Sequence, residues 1–288
     1  MSARPFPSLF PIVWLVGLCC GLCSCASLIT GTVIKPAVGN LQQQQDIELV
    51  CEGAPAYLLM LDSMLVSSPE NQDLLLIATQ SYSAYTTALE ECGGSDQRIG
   101  AIAAKAKAHG QKLLRPLLPI DHKGGDSNFD KNLTKLSTGD VPEVFWGTSG
   151  WLTWVLRQKG SPEAIADIVR IEKIMARLLE LDESYQGGSL HLFFGAYHAA
   201  KPKMLGGRPD LSASHFDKAL TISKRRFLLT HTTYAATLAR MTMDRDLHDR
   251  LLMEVLAFPL DSAPEFGLSN RIAVNRAKRL LAENYFQD

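Results

Sequence analysis

Six cysteines are the first residues in this chain whose types and spacing could do chemistry, and they are unevenly placed. Cys19, Cys20, Cys23 and Cys25 crowd together, and only Cys51 and Cys92 lie beyond them. Cys20 and Cys23 have the C-x-x-C spacing of a zinc or redox pair. Such a pair needs a second ligand pair in a polar loop, whereas LFPIVWLVGLCCGLC is apolar. The seven histidines, His109, His122, His191, His198, His215, His231 and His248, are the other metal candidates. His191 and His198 are seven apart and share a helical face, but no H-E-x-x-H occurs and no metal is expected. There is no G-x-S-x-G and no phosphate-binding P-loop, and LGGRPD is better explained as a turn between helices. Glu90 and Glu91 read as a solvated helix end. Neither catalysis nor a cofactor is expected.

Aromatic side chains offer binding chemistry instead. Trp146, Trp151 and Trp154 lie close together beside Phe145, and LFFGAYH adds Phe193, Phe194 and Tyr197. Trp151 and Trp154 are i, i+3 neighbours on a helix. Two readings stay open. The rings pack a core, or Trp146, Trp151, Trp154, Phe194 and Tyr197 line a concave surface that takes a ligand or a partner.

The amino terminus explains the cysteine cluster. One charge, Arg4, precedes an apolar run that ends in small residues, the layout of an export signal. Leu22-Cys23-Ser24-Cys25 resembles a bacterial lipobox, which implies cleavage after residue 24 and lipid attached to Cys25. The apolar run is roughly 16 residues and is interrupted by prolines, short for a membrane span of about 20. Ala26 occupies the place where an Asp retains lipoproteins at the inner membrane in the enterobacterial sorting scheme, so the outer membrane is favoured. Export to an oxidising compartment makes Cys51 and Cys92 a candidate disulfide. With 29 basic and 30 acidic residues, the chain has a net charge of −1 and no basic footprint for nucleic acid.

Residues 25–45 read as a tether, ending in NLQQQQ. From Asp46 the pattern turns helical and remains so to residue 288. Leu58, Leu61 and Leu65, then Leu75, Thr79, Tyr82, Tyr85 and Leu89, recur at helical spacing across the turn SSPEN. Gly93-Gly94, Pro116, Gly160-Ser161-Pro162 and Pro264 punctuate the rest of the chain. No segment alternates as a strand does. The fold expected is all-α, with about ten helices in antiparallel hairpins. HFDKALTIS, FFGAY and LLELDESY carry degenerate tetratricopeptide-like signals, so the hairpins are expected to stack as an α-α superhelix.

Residues 46–288 resemble the TRAP-transporter-associated T component family (TatT). The likeness rests on LVCEGAPAYLLMLDSMLVSSPENQDLLLIATQSYSAYTTALEE, WGTSGWLTWV, MARLLELDESYQGGSLHLFFGAYHAAKPKMLGGRPDLSASHFDKAL, FLLTHTTYAATLA, DLHDRLLMEVLA and LSNRIAVNRAKRLL, in that order. Cys51, Cys92 and SKRRF depart from the family pattern. The resemblance implies a periplasm-facing lipoprotein associated with the solute-binding protein of a TRAP-type uptake system, helping to pass its ligand, with homo-oligomers among its expected forms. The alternative is a carrier that itself holds an apolar small molecule in a helical cavity.

Overall fold

A computed structural model describes residues 35–120, 125–158, 160–200, 207–283 and 285–286. Among these residues there are twelve α-helices and no strand. They are α1 (Lys35–Gln43), α2 (Ile47–Ser67), α3 (Gln72–Glu91), α4 (Asp96–Leu114), α5 (Gly125–Lys135) and α6 (Val141–Val155). The second half holds α7 (Pro162–Leu181), α8 (Tyr185–Ala199), α9 (Pro209–Ile222), α10 (Leu229–Tyr234), α11 (Arg245–Ala257) and α12 (Gly267–Ala282). The all-α expectation holds.

The helix starts are written in the sequence. Asp46, Asn71, Ser95, Ser161 and Asp244 each accept a hydrogen bond from the backbone N–H three residues on. Each cap satisfies a donor that the first turn leaves without a helical partner. Pro55 lies inside α2 and cannot donate to the Cys51 carbonyl. Tyr85 of α3 replaces that donor, its hydroxyl lying 3.4 Å from the Cys51 oxygen. Cys51 is also bonded through sulfur to Cys92, with Cα atoms 6.7 Å apart, which ties the start of α2 to the end of α3.

Three apolar clusters fill the interior. The first joins α2, α3 and α4 and includes Leu58, Leu61, Leu75, Tyr82 and Tyr85. The second joins α5, α6, α7 and α8 through Phe129, Val144, Trp151, Ile171, Ile174 and Phe194. The third joins α8 to α12 through Phe216, Tyr234, Leu252 and Ala277. The half-buried Trp146 packs against both the first and the second.

Between the first two clusters, α4 and α6 touch through their backbones. A Cβ on Gly110 would lie 2.5 Å from the Gly147 carbonyl oxygen, and one on Gly150 would lie 2.7 Å from that of Ala106. The WGTSG stretch therefore supplies small residues where the two helices cross, and tryptophans to either side.

One expectation changes. The stretch expected to be a tether contains α1, because Leu41 packs against the first cluster and the Gln43 backbone meets Gly267 of α12. Helix α12 returns to the amino-terminal hairpin, where Leu268 and Ile272 join the first cluster. Arg279 makes a bidentate pair with Glu91 at 2.6 and 2.7 Å.

Two consequences can be measured by thermal or denaturant unfolding. Gly100 and Gly110 both lie in α4, but nothing approaches a Cβ at Gly100 within 4 Å. Gly100→Ala should stabilise by up to about 1 kcal/mol through helix propensity. Gly110→Ala should destabilise by about 1–3 kcal/mol, because the carbonyl it meets cannot yield. Replacing Cys51 and Cys92 by serine should cost about 4 kcal/mol on a chain-entropy view, the closed loop spanning 41 residues.

Candidate functional site

The aromatic residues singled out by sequence separate into two kinds. Trp151 is in the core, and its indole N–H donates to Asp167 Oδ2 at 2.7 Å. Asp167 is itself buried and also accepts from Lys107 Nζ at 3.2 Å. Lys107 reaches Glu163 at 3.1 Å and lies over the Trp154 ring, 3.3 Å from its centre. The buried carboxylate is thus met by one cation and one indole, which offsets the cost of taking its charge out of water. Trp146 stands edge-on to Phe145 with ring centres 5.3 Å apart, and Phe145 in turn meets Tyr185 edge-on at 5.1 Å. Phe194 is buried, whereas Tyr197 is half-buried and stacks on Phe193 at 5.8 Å. The set forms the α6–α8 core and its edge rather than one continuous wall.

A second polar group links the amino-terminal helices. Asp62 of α2 accepts from Tyr82 at 2.8 Å and is paired with Lys105, and His109 Nε2 lies 3.5 Å away. Burial would raise the Asp62 carboxyl, but the bonds from Lys105 and Tyr82 outweigh it and hold the group below its ordinary value. Burial, together with that bond, pushes the Tyr82 phenol up to about 12. The protonated phenol and the occupied carboxylate make the group a tie across α2, α3 and α4.

A third group was only half visible in sequence. His191 and His198 of α8 were expected to share a face, but the partner across the hairpin was not. His215 of α9 approaches His191 Nδ1 to Nδ1 at 2.8 Å, and His191 Nε2 lies 3.2 Å from Glu183. Among the described residues no set of three His, Cys, Asp or Glu could hold a metal ion.

The outward side of α2 is the feature that sequence reasoning missed. Leu49, Leu59 and Val66 are 53%, 66% and 83% exposed, and Met60 is exposed beside them. From Gly53 to Ser67 the exposed residues include no charge. Helix α2 is long and apolar enough to cross a membrane by composition, yet Val50, Ala54, Leu58, Leu61 and Leu65 bury its other side in the protein. Its signal was an excess: one buried stripe needs fewer apolar residues than α2 carries. A groove of about 250 Å³ opens beside its first half, lined by Asn40, Leu41, Gln44, Leu49, Val50, Gly53, Ala54 and Tyr57. Cys25, the expected lipidation residue, lies outside the described residues.

Two substitutions separate core from edge. Trp151→Phe leaves the buried Asp167 without its indole donor and should lower stability by about 2–4 kcal/mol. Tyr197→Phe should change it by less than about 0.5 kcal/mol. Denaturant melts of the two variants beside the parent make the comparison.

An uncharacterized protein of Treponema pallidum (strain Nichols) is 23% identical over 267 residues, covering 85% of this chain and 82% of the other. The sequence profile of the TRAP transporter T-component family matches residues 43–286, from the end of α1 to the last described residue, and the chain therefore belongs to that family.

Proposed function

We propose that this cell-envelope component of a TRAP system docks the system's solute-binding protein, helps pass its ligand, and is held at a membrane by lipid on Cys25. The observation that carries the reading is the family match across residues 43–286. The exposed apolar residues of α2 between Gly53 and Ser67 support it, since contiguous exposed apolar surface rimmed by polar residues marks interaction sites. On this reading the docking contact falls on Leu59, Met60 and Val66. Lipid at Cys25 would hold that surface near the membrane and raise the effective concentration of a partner working there. The reading further takes the protein to face the periplasm, with the outer membrane as the destination, and to act without catalysis.

Size argues against the carrier alternative at the α1–α2 groove. At about 250 Å³ the groove is smaller than the roughly 300–1,000 Å³ of sites that enclose small ligands.

Two experiments test the reading. The lipidated protein should recover a TRAP-type solute-binding protein in pull-downs where the genome encodes one, and Leu59→Asp with Val66→Asp should weaken capture at least tenfold without shifting the thermal midpoint. Failure of the parent protein to capture it, with a small molecule co-purifying instead, would favour the carrier. Separately, Cys25→Ser should leave the precursor unprocessed and unlabelled by fatty acid, and normal processing in that variant would remove the anchor from the reading.

A further inference from the structure

The histidine group between α8 and α9 has a geometry that depends on how many protons it holds. We propose that His191 and His215 form an acid-sensitive latch, closing the α8–α9 hairpin near neutral pH and releasing it when the pair takes up protons.

Two ring nitrogens 2.8 Å apart require one donor and one acceptor. Glu183, facing His191 Nε2 at 3.2 Å, assigns the roles. The carboxylate accepts from Nε2–H, which leaves the Nδ1 of His191 as a lone-pair acceptor. His215 then donates from its own Nδ1–H. A first added proton goes to the free Nε2 of His215 and leaves that bond intact. A proton on His191 Nδ1 removes the acceptor and sets two N–H groups face to face. Both rings can hold their protons only if the two Nδ1 atoms separate, and parting α8 from α9 does this.

The surroundings oppose protonation. His198 of α8 lies against His215, with ring centres 5.6 Å apart. Lys218 of α9 bears on both His191 and His215, and Arg208, just before α9, bears on His198. The opposing carboxylates are Glu183, before α8, and Glu172 of α7. Glu183 is mostly exposed, so water screens its share. From α10, Tyr234 stacks on Phe216 at 4.4 Å and stays neutral, its phenol pushed up to about 12 by burial. Burial lowers His191, and burial with the neighbouring histidines lowers His215 to about 4. An opened histidine titrates near 6.5. The closed form binds fewer protons than the open one between those values, so its advantage is complete above about 6.5 and is lost as the pH falls toward 4.

Release would uncover a defined surface. Ser212 of α9 donates to the Gly195 carbonyl of α8 at 2.7 Å, and the Phe216 ring lies against Gly195. Parting the helices exposes Phe216 and Phe194.

Hydrogen–deuterium exchange on the lipidated full-length protein, corrected for intrinsic exchange rates, tests the latch. Protection of peptides from residues 185–222 should fall on the order of tenfold between pH 6.5 and 5, while peptides from residues 47–91 keep theirs. His215→Asn supplies an amide donor in place of the titrating ring and should flatten this response. Imidazole NMR titration of the parent protein should show two coupled histidines titrating below the ordinary range. Protection in residues 185–222 that does not change with pH overturns the latch. So does a His215→Asn variant that keeps the full response, or an NMR titration in which both rings titrate near 6.5.

Discussion

The backbone contact between α4 and α6 is the constraint around which the other parts are arranged. Helices with ordinary side chains at a crossing stay 8–10 Å apart. Here Gly110, Gly147 and Gly150 remove the side chains that would keep them so. Trp146 and Trp151, one on either side of Gly147 and Gly150, then cannot lie in the crossing and pack to its flanks. Trp151 meets Asp167 of α7, and Trp146 spans two apolar clusters. Lys107, one turn before Gly110, is brought within reach of that same carboxylate. One close approach thereby fixes three helices and the charge between them.

The return of α12 depends on its having two apolar sides. Leu268 and Ile272 face the amino-terminal hairpin, while Ala273, Ala277 and Leu280 belong to the carboxy-terminal cluster. A helix with one such stripe would cap the end of a stack. One with two stripes must be covered from both sides, and the amino-terminal hairpin provides the second cover. Asn270 lies between the two sides, accepting from the Leu228 N–H and donating to the Arg226 carbonyl, each at 2.9 Å, so the polar group buried there is satisfied.

The all-α class and the helix ends were legible because they depend on local chemistry. Asn71 after SSPE, Ser161 before a proline and Gly93-Gly94 after α3 each act within a few residues. Closure by α12 was not legible, because the pairings of Arg279 with Glu91 and of Gly267 with Gln43 join residues far apart in sequence, and periodicity does not say which stripe meets which. The candidate sites divide in the same way. Spacing put His191 and His198 on one face, but only the α8–α9 hairpin brings His215 to them. The tryptophans were found from their types alone, whereas their partner Asp167 looked like any helical carboxylate. The exposed side of α2 was read past because Leu58, Leu61 and Leu65 already accounted for a buried stripe.

The distribution of buried polar groups bears on what the molecule can do. Asp167, the half-buried Asp62 and Glu91 each meet partners from another helix, and Asn270 meets the backbone of the turn before α10. A group engaged in this way loses more by leaving its partner than it gains by attacking a substrate, because an uncompensated buried charge costs several kcal/mol. These sites therefore act as ties between helices, and binding falls to surfaces whose groups have no competing partner. From Gly53 to Ser67 the exposed residues of α2 carry no charge, so covering them forfeits few hydrogen bonds to water. The histidine pair lies between the two kinds. It is satisfied while it holds its neutral complement of protons, and the same geometry that satisfies it then leaves no room for another proton on His191 Nδ1. The acid response proposed for this pair thus lies in α8 and α9, apart from the Gly110–Gly147 contact that holds the frame.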